Sequence, residues 1–307
     1  MLMLQLLPIA VLAAIVIVLI LFSHRLYRAV LLPGADFVSM DKKITDILEA
    51  NATFFDGAKR EELSLRAEDG TPLVGYLIRG KSTRRFVILC HGYTMKARDL
   101  SGPASWFHGE GYSLLLPDAR GHGRSGGSYI GMGWAERRDI LEWIELLNRR
   151  FDTPEIVLYG ISMGGATVMM VTGEGRLPSN VRAAIEDCGY TSVWEEFAYQ
   201  LRHALHLPVF PLLHMVDRIA RKRSGYGFRE ASAIRQVARS HTPTLFIHGD
   251  ADTFVPYTFL KRIYDAASCE KEMLTVPSAP HGLAAPTNPE LYWSHVRAFL
   301  GKYVTQS

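Results

Sequence analysis

Gly160-Ile161-Ser162-Met163-Gly164 sets a hydroxyl between two residues that lack side chains. The apolar stretch Glu155–Tyr159 runs into this pentapeptide, and a helix-like segment, Met163–Gly173, runs out of it. That order is the context of a nucleophile elbow, a tight strand-to-helix turn that lifts a serine Oγ clear of the sheet. Side chains at the two flanking positions would clash in such a turn, and Gly160 and Gly164 remove them. A serine hydroxyl at its ordinary pKa is a poor nucleophile and needs a base oriented by an acid. In the chain order that goes with an elbow, the acid and then the histidine follow the serine. Asp252, in Gly249-Asp250-Ala251-Asp252, and His281, in His281-Gly282, stand in loops after the apolar runs Pro243–His248 and Lys271–Val276. Asp252 is the first choice for the acid, with its neighbour Asp250 and the earlier Asp187 as alternatives; a plain surface histidine is the alternative for His281. The chemistry would be acyl transfer to water through an acyl-enzyme, which needs no metal and no organic cofactor. Cys90, Cys188 and Cys269 form no C-x-x-C pair and no His/Cys cluster, so neither a zinc site nor a disulfide framework is expected.

A sheet must carry those loops. Glu61–Arg66 and Pro72–Arg79 alternate like a hairpin that turns at Glu68-Asp69-Gly70. Beyond it, the short apolar runs Arg85–Cys90, Tyr112–Leu116, Glu155–Tyr159, Arg182–Glu186, Pro243–His248 and Lys271–Val276 alternate with amphipathic segments near 100–110, 134–150, 163–173, 257–267 and 289–303. Strands separated by helices imply a mainly parallel sheet with helices on both faces. More than fifty residues separate the runs ending at Glu186 and starting at Pro243, too many for a simple crossover. The helical patterns Trp194–His206 and Phe210–Arg223 within them predict a small helical lid over about 190–240.

The chain has 307 residues, 48% of them hydrophobic and 21% charged, and a net charge of +3. That suits one domain with an ample core and gives nucleic acid no basic stripe to bind. Every residue from Leu6 to Phe22 is apolar, with Pro8 inside the run. About 20 such residues suffice to cross a bilayer. The run opens without a basic residue and ends in Phe22-Ser23-His24-Arg25, which fits an uncleaved anchor better than a signal peptide. Arg25 and Arg28 then place the remainder on the cytoplasmic side. The expected organisation is an anchor over 1–28 acting as a tether alone, a spacer over 29–60 with a helix at Asp41–Asn51, and a catalytic domain over 61–307. Asn51-Ala52-Thr53 matches a glycosylation sequon, irrelevant on a cytoplasmic domain. Oligomeric state is not readable.

His91-Gly92, the run Asp118-Ala119-Arg120-Gly121-His122-Gly123-Arg124-Ser125, the elbow, and Gly249-Asp250-Ala251-Asp252 with His281 occur in that order. On these motifs, from about Glu61 to Tyr303, the chain resembles a bacterial membrane-anchored α/β hydrolase of the serine-aminopeptidase (S33) and esterase-like group. The resemblance implies the α/β-hydrolase fold and an oxyanion hole from the backbone N–H groups of Tyr93 and Met163. Met163 also opens a helix directly after the serine, which favours an anion there. The resemblance makes the Asp118–Ser125 loop structural, with Asp118 and Arg120 bracing it and His122 outside the chemistry. Pro280 stands where relatives often carry glycine. Trp194, Phe197, Tyr199, Leu201, Leu205, Leu207, Val209 and Phe210 offer the lid an apolar surface for a medium or long acyl chain, as in a lipid-like ester, or for an aryl ester. Arg218, Arg221, Lys222 and Arg223 read as a solvated face or as a contact for anionic headgroups. The leading function is hydrolysis of carboxylic esters, with a small-molecule ester as partner; amide hydrolysis or a catalytically silent membrane-tethered scaffold are the rivals.

Overall fold

Strands β1 (Arg60–Arg66) and β2 (Pro72–Ile78) pair antiparallel from Arg60↔Ile78 to Arg66↔Pro72, as their alternation requires. The computed structural model describes residues 2–34 and 52–305; the expected helix at Asp41–Asn51, Asn51 of the sequon and most of the expected spacer lie outside them. β3 (Arg85–Cys90), β4 (Ser113–Pro117), β5 (Glu155–Ile161), β6 (Val181–Asp187), β7 (Thr244–Gly249) and β8 (Lys271–Val276) complete a sheet of order β1-β2-β4-β3-β5-β6-β7-β8. β2 meets β4 antiparallel, and every pairing from β4 to β8 is parallel.

The two faces of this sheet sort the strand side chains by parity. Val87, Leu89, Val157, Tyr159, Ile185 and Ile247 pack with α3 (Ser101–Gly109) and α11 (Pro289–Tyr303). Phe86, Ile88, Ile156, Leu158 and Ala184 pack on the other face, against α4 (Glu136–Arg150) and α5 (Met163–Thr172). Strands covered on both sides read as continuous apolar runs, which is why their bounds fall within about two residues of the sequence expectation. The short helices α2 (Thr53–Gly57), α8 (Ala233–Val237) and α10 (Ala284–Thr287) were not expected; four or five residues are too few to show a helical period. Between β6 and β7 the chain forms α6 (Val193–His203) and α7 (Leu212–Ser224), followed by α8; α9 (Thr258–Ala266) separates β7 from β8.

The first helix departs from expectation. α1 runs unbroken from Leu2 to Leu31, so a boundary at residue 28 falls inside it. Ile9 to Phe22 present exposed apolar side chains, whereas Ser23, Leu26, Tyr27 and Leu31 are buried against the domain. The spacing 23, 26, 27, 30, 31 marks one face of a helix. Tyr27 Oη and Ser224 Oγ of α7 are 3.0 Å apart, Tyr93 Oη donates to the Val30 carbonyl at 2.8 Å, and Ile130 N donates to the Leu31 carbonyl at 2.7 Å. The last turns of α1 belong to the domain, and the helix is more than a tether. Burial of Leu26, Tyr27 and Leu31 contributes about 1.5–3 kcal/mol each. Deleting residues 1–18 should therefore leave the unfolding temperature in detergent unchanged. Deleting 1–31 should lower it by on the order of 10 °C, as followed by thermal unfolding.

Candidate active site

β5 and β3 run side by side, with Cys90 opposite Gly160, and both end where the strand order departs from the sequence order. Ligands of parallel α/β sheets sit at such a point. Ser162 follows β5 at φ 57° and ψ −118°, in the left-handed region that a serine enters only when its surroundings hold it there. The hold is visible. A Cβ on Gly160 would stand 2.2 Å from the Gly164 carbonyl oxygen, and one on Gly164 would stand 1.9 Å from that of Cys90. Backbone packs directly on backbone on both sides of the serine. Ser162 N donates to the Asp187 carbonyl at 2.8 Å, tying the turn to β6.

Ser162 Oγ lies 2.8 Å from His281 Nε2, and His281 Nδ1 lies 2.7 Å from Asp252 Oδ2. A carboxylate only accepts, so the ring proton sits on Nδ1, and Nε2 turns a lone pair toward the serine hydroxyl. Asp252 Oδ1 accepts from the backbone N–H groups of Phe254 and Val255, both at 2.9 Å. Its Oδ2 also takes a second imidazole, His248 Nε2, at 3.1 Å. Burial alone would raise this carboxyl, but the hydrogen bonds from His248 and His281 outweigh it and hold Asp252 at about 2. His248 was not anticipated. It ends the apolar run of β7 four residues before Asp252, a position that a sequence reading counts as strand.

The other two aspartates are occupied elsewhere. Asp187 is buried and accepts from Tyr292 Oη at 2.9 Å, and burial pushes its carboxyl up to about 6. Asp250 is exposed and accepts from Ser278 N at 2.6 Å. Cys188, Asp252 and His281 bring one ligand atom each within 4.8 Å of one another. Asp252 and His281 are spent on the hydrogen bonds above, and burial raises the Cys188 thiol well above its usual range, against thiolate formation.

Met163 begins α5, and Tyr93 lies across from Ser162 on the loop after β3. A Cβ on Gly92 would stand 3.5 Å from that of Ser162, so the loop passes close over the serine. Two buried histidines brace it. His91 Nδ1 is 2.8 Å from the Gly92 carbonyl and His122 Nδ1 is 3.0 Å from that of Arg120, while their Nε2 atoms accept from Ala119 N and Thr94 N. That pattern requires both rings neutral. Arg120 spans Asp139 and Asp69, and Asp118 accepts from Ala97 N and Arg124 N. The 118–125 loop is held by its own polar side chains.

Residues 81–224 match the family model described as serine aminopeptidase, S33. YqkD of Bacillus subtilis (strain 168), an uncharacterized protein, is 27% identical over 292 residues, which span 95% of this chain and 94% of that one. The Pyrococcus furiosus esterase Pf2001 superposes with a TM-score of 0.67 at 22% identity, over 83% of this chain and 96% of its own. The chain has the α/β-hydrolase fold. An uncharacterized membrane protein of Saccharomyces cerevisiae, YNL320W, is 24% identical to it over 251 residues, 80% of each chain.

Above Ser162 the protein has an apolar cleft with about 740 Å³ of unfilled space, part of it open to solvent. Of the aromatic and aliphatic residues expected to form a pocket, Phe197, Leu201 and Leu205 line it. Trp194 is instead buried in the core beneath Arg229, Tyr199 donates to the Thr253 carbonyl, and Phe210 projects with 73% of its surface exposed. Sequence reasoning missed Phe254, Glu196, and Leu26, Val30 and Leu31 of α1, all of which line the cleft. The signal for the α1 residues was their helical spacing, hidden in an almost wholly apolar run.

The braced histidines generate a pH prediction. Burial, reinforced by His91, holds His122 at about 4, against an ordinary 6.5. The unfolded chain binds this proton first, so the contribution to stability is complete above 6.5 and is lost as pH falls toward 4. Buried Glu136 and Glu186 shift the opposite way, so a difference between two proteins isolates the histidine. The gap in unfolding temperature between wild type and His122→Asn should narrow from about pH 7.5 to about pH 5, as measured by thermal unfolding.

Proposed function

We propose that this hydrolase cleaves carboxylic esters through an acyl-enzyme, with Ser162 as nucleophile, His281 as general base and acid, and Asp252 as the orienting acid. The observation that carries the reading is the continuous hydrogen-bond line from Ser162 Oγ through His281 to Asp252 at the floor of an apolar cleft. Ser162 Oγ attacks the ester carbonyl carbon while its proton passes to His281 Nε2. Asp252 stays ionised and stabilises the imidazolium that forms. The carbonyl oxygen becomes an oxyanion facing the N–H groups of Met163, at the positive end of α5, and of Tyr93. Collapse expels the alcohol, which takes the proton from His281. A water then repeats the sequence on the acyl-enzyme, releasing the acid and restoring the serine.

Ester is favoured over an N-terminal amide by the electrostatics of the cleft. An aminopeptidase must hold a substrate ammonium, which calls for an ionised carboxylate in the pocket. Glu196 is the carboxyl that lines this one, and burial, which pushes it up to about 8, disfavours its charged form. The lid role of α6 and α7 rests on their place over the cleft. Membrane anchoring by α1 is supported by Pro8–Leu31, 24 residues long and apolar enough to cross a bilayer, and by the membrane description of the yeast relative. Arg25 and Arg28 favour a cytoplasmic catalytic domain.

Ser162→Ala should abolish both fluorophosphonate labelling and hydrolysis of p-nitrophenyl esters while leaving the unfolding temperature nearly unchanged. Asp252→Asn should lower kcat by about 10⁴ with little change in KM, as expected when the imidazole loses its orienting acid. Asp250→Asn should retain most activity, and Asp187→Asn should be altered mainly in stability. Steady-state kinetics and thermal unfolding of the four purified variants decide between this assignment, an acid at Asp187, and a silent scaffold that no probe labels.

A further inference from the structure

One wall of the cleft above Ser162 comes from neither the sheet nor the helical insertion. Leu26, Val30 and Leu31 of α1 form it, beside Leu213 and Val216 of α7. The same helix exposes apolar side chains from Ile9 to Phe22, within the 24-residue stretch Pro8–Leu31 that is long and apolar enough to cross a bilayer. On the face that packs into the domain, only Ser23 interrupts the apolar sequence, and its hydroxyl donates to the Leu19 carbonyl at 2.7 Å. The exposed apolar turns of α1 and the turns that line the serine site are therefore parts of one unbroken helix. Hydrogen bonds on the carbonyls of Val30 and Leu31 fix that wall against the domain.

We propose that the substrate is a long-chain ester drawn from the lipid bilayer along α1, and that Leu26 and Val30 select its acyl chain. The inference rests on the ester-hydrolase reading and names the substrate class of that site. A chain that left the bilayer through water would expose each methylene, whereas a chain sliding along α1 stays in apolar contact throughout. Val30 is well placed to set the limit on chain size. It is part-buried at the cleft, and its bond to Tyr93 uses the backbone carbonyl, which a substitution leaves in place.

The test uses the full chain reconstituted in phosphatidylcholine vesicles and the ratio of kcat/KM for p-nitrophenyl dodecanoate to that for p-nitrophenyl acetate. Val30→Trp should lower this ratio by about tenfold or more, the scale on which pocket shape discriminates apolar groups. Val30→Ala should raise turnover of hexadecanoate relative to dodecanoate. Val18→Trp, on the part of α1 that is 63% exposed at that residue, should leave both ratios within about twofold. Fluorophosphonate labelling confirms that each variant is folded. Labelled Val30 variants with wild-type ratios would overturn the assignment of the wall. In a second arm, 4-methylumbelliferyl palmitate is placed either in the protein's own vesicles or in separate ones. Hydrolysis confined to the shared bilayer supports delivery along α1, and equal hydrolysis from separate vesicles overturns it. If the wild type neither labels nor hydrolyses the acetate ester, the ester-hydrolase reading itself fails, before any question of chain length.

Discussion

Backbone pressed on backbone is the constraint on which the rest of the site depends. Ser162 occupies a left-handed conformation because α5 leaves β5 without a loop and lies directly on the end of β3. Holding a serine there costs of order 1–3 kcal/mol, which the surrounding packing must offset. Any side chain at Gly160 or Gly164 would lift α5 off the sheet by more than an ångström. That shift would carry the Met163 N–H away from the serine and lengthen the reach to His281. At Gly249, too, a Cβ would stand 2.0 Å from the Ala279 carbonyl oxygen, so the loop bearing His281 is set down on the end of β7 by the same means. Glycines thus fix the distance between Ser162 and His281 through the backbone.

The electrostatics of the site follow from how unevenly hydrogen bonds are distributed among its carboxyls. Asp187, Glu186, Glu196 and Asp252 are all buried in one region of the domain. Asp252 receives two backbone N–H groups and two imidazoles, and stays ionised. Glu186 takes the Gly189 N–H, Glu196 takes Gln200 Nε2, and each keeps one buried oxygen without a partner among the described residues. Burial accordingly raises both to about 8. The charge behind His281 is therefore held most firmly on Asp252, where the proposed mechanism needs it to stabilise an imidazolium. Burial disfavours the charged forms of Glu186 and Glu196 beside it. His248 reinforces the asymmetry, because its Nε2–H faces only acceptors, Asp252 Oδ2 and the Val255 carbonyl.

The elbow and the loops after β7 and β8 were legible in the sequence because their determinants are local. An apolar run names a buried strand, and a glycine at its end names the turn, so the meeting of Ser162, Asp252 and His281 could be read from motif order. Strand bounds were legible for the same reason. Contacts that depend on what a residue packs against were not. His248 reads as the last residue of a strand, and nothing near it in the chain says that its ring turns toward a carboxylate. Phe210 and Trp194 are equally apolar, yet one is exposed and the other buried, because the insertion folds against α1 and only its interior is covered. The largest omission was α1 itself. In a run where nearly every residue is apolar, the face that packs on the domain has the same composition as the face left exposed. Periodicity has no contrast there, and only Ser23, Tyr27 and the flanking His24, Arg25 and Arg28 break it.

That ambiguity of composition has a mechanical counterpart. Carrying a twelve-carbon acyl chain from lipid through water would cost about 9 kcal/mol, at about 0.8 kcal/mol for each of eleven carbons beyond the carbonyl. A cleft whose wall continues the bilayer-facing helix avoids the cost without binding the chain more tightly than lipid does. The cleft then needs no great affinity. It needs only to match hydrocarbon in polarity and to differ from it in shape, which makes side-chain size along Leu26 and Val30 the variable that discriminates chains. For that to work the wall must not drift relative to Ser162. The Tyr93 hydroxyl binds the Val30 carbonyl, and the Tyr93 backbone belongs to the loop that faces the serine, so α1 and the proposed oxyanion hole are held by one residue. On the proposed reading, a helix held in the membrane and a carbonyl held over Ser162 would be parts of the same rigid frame.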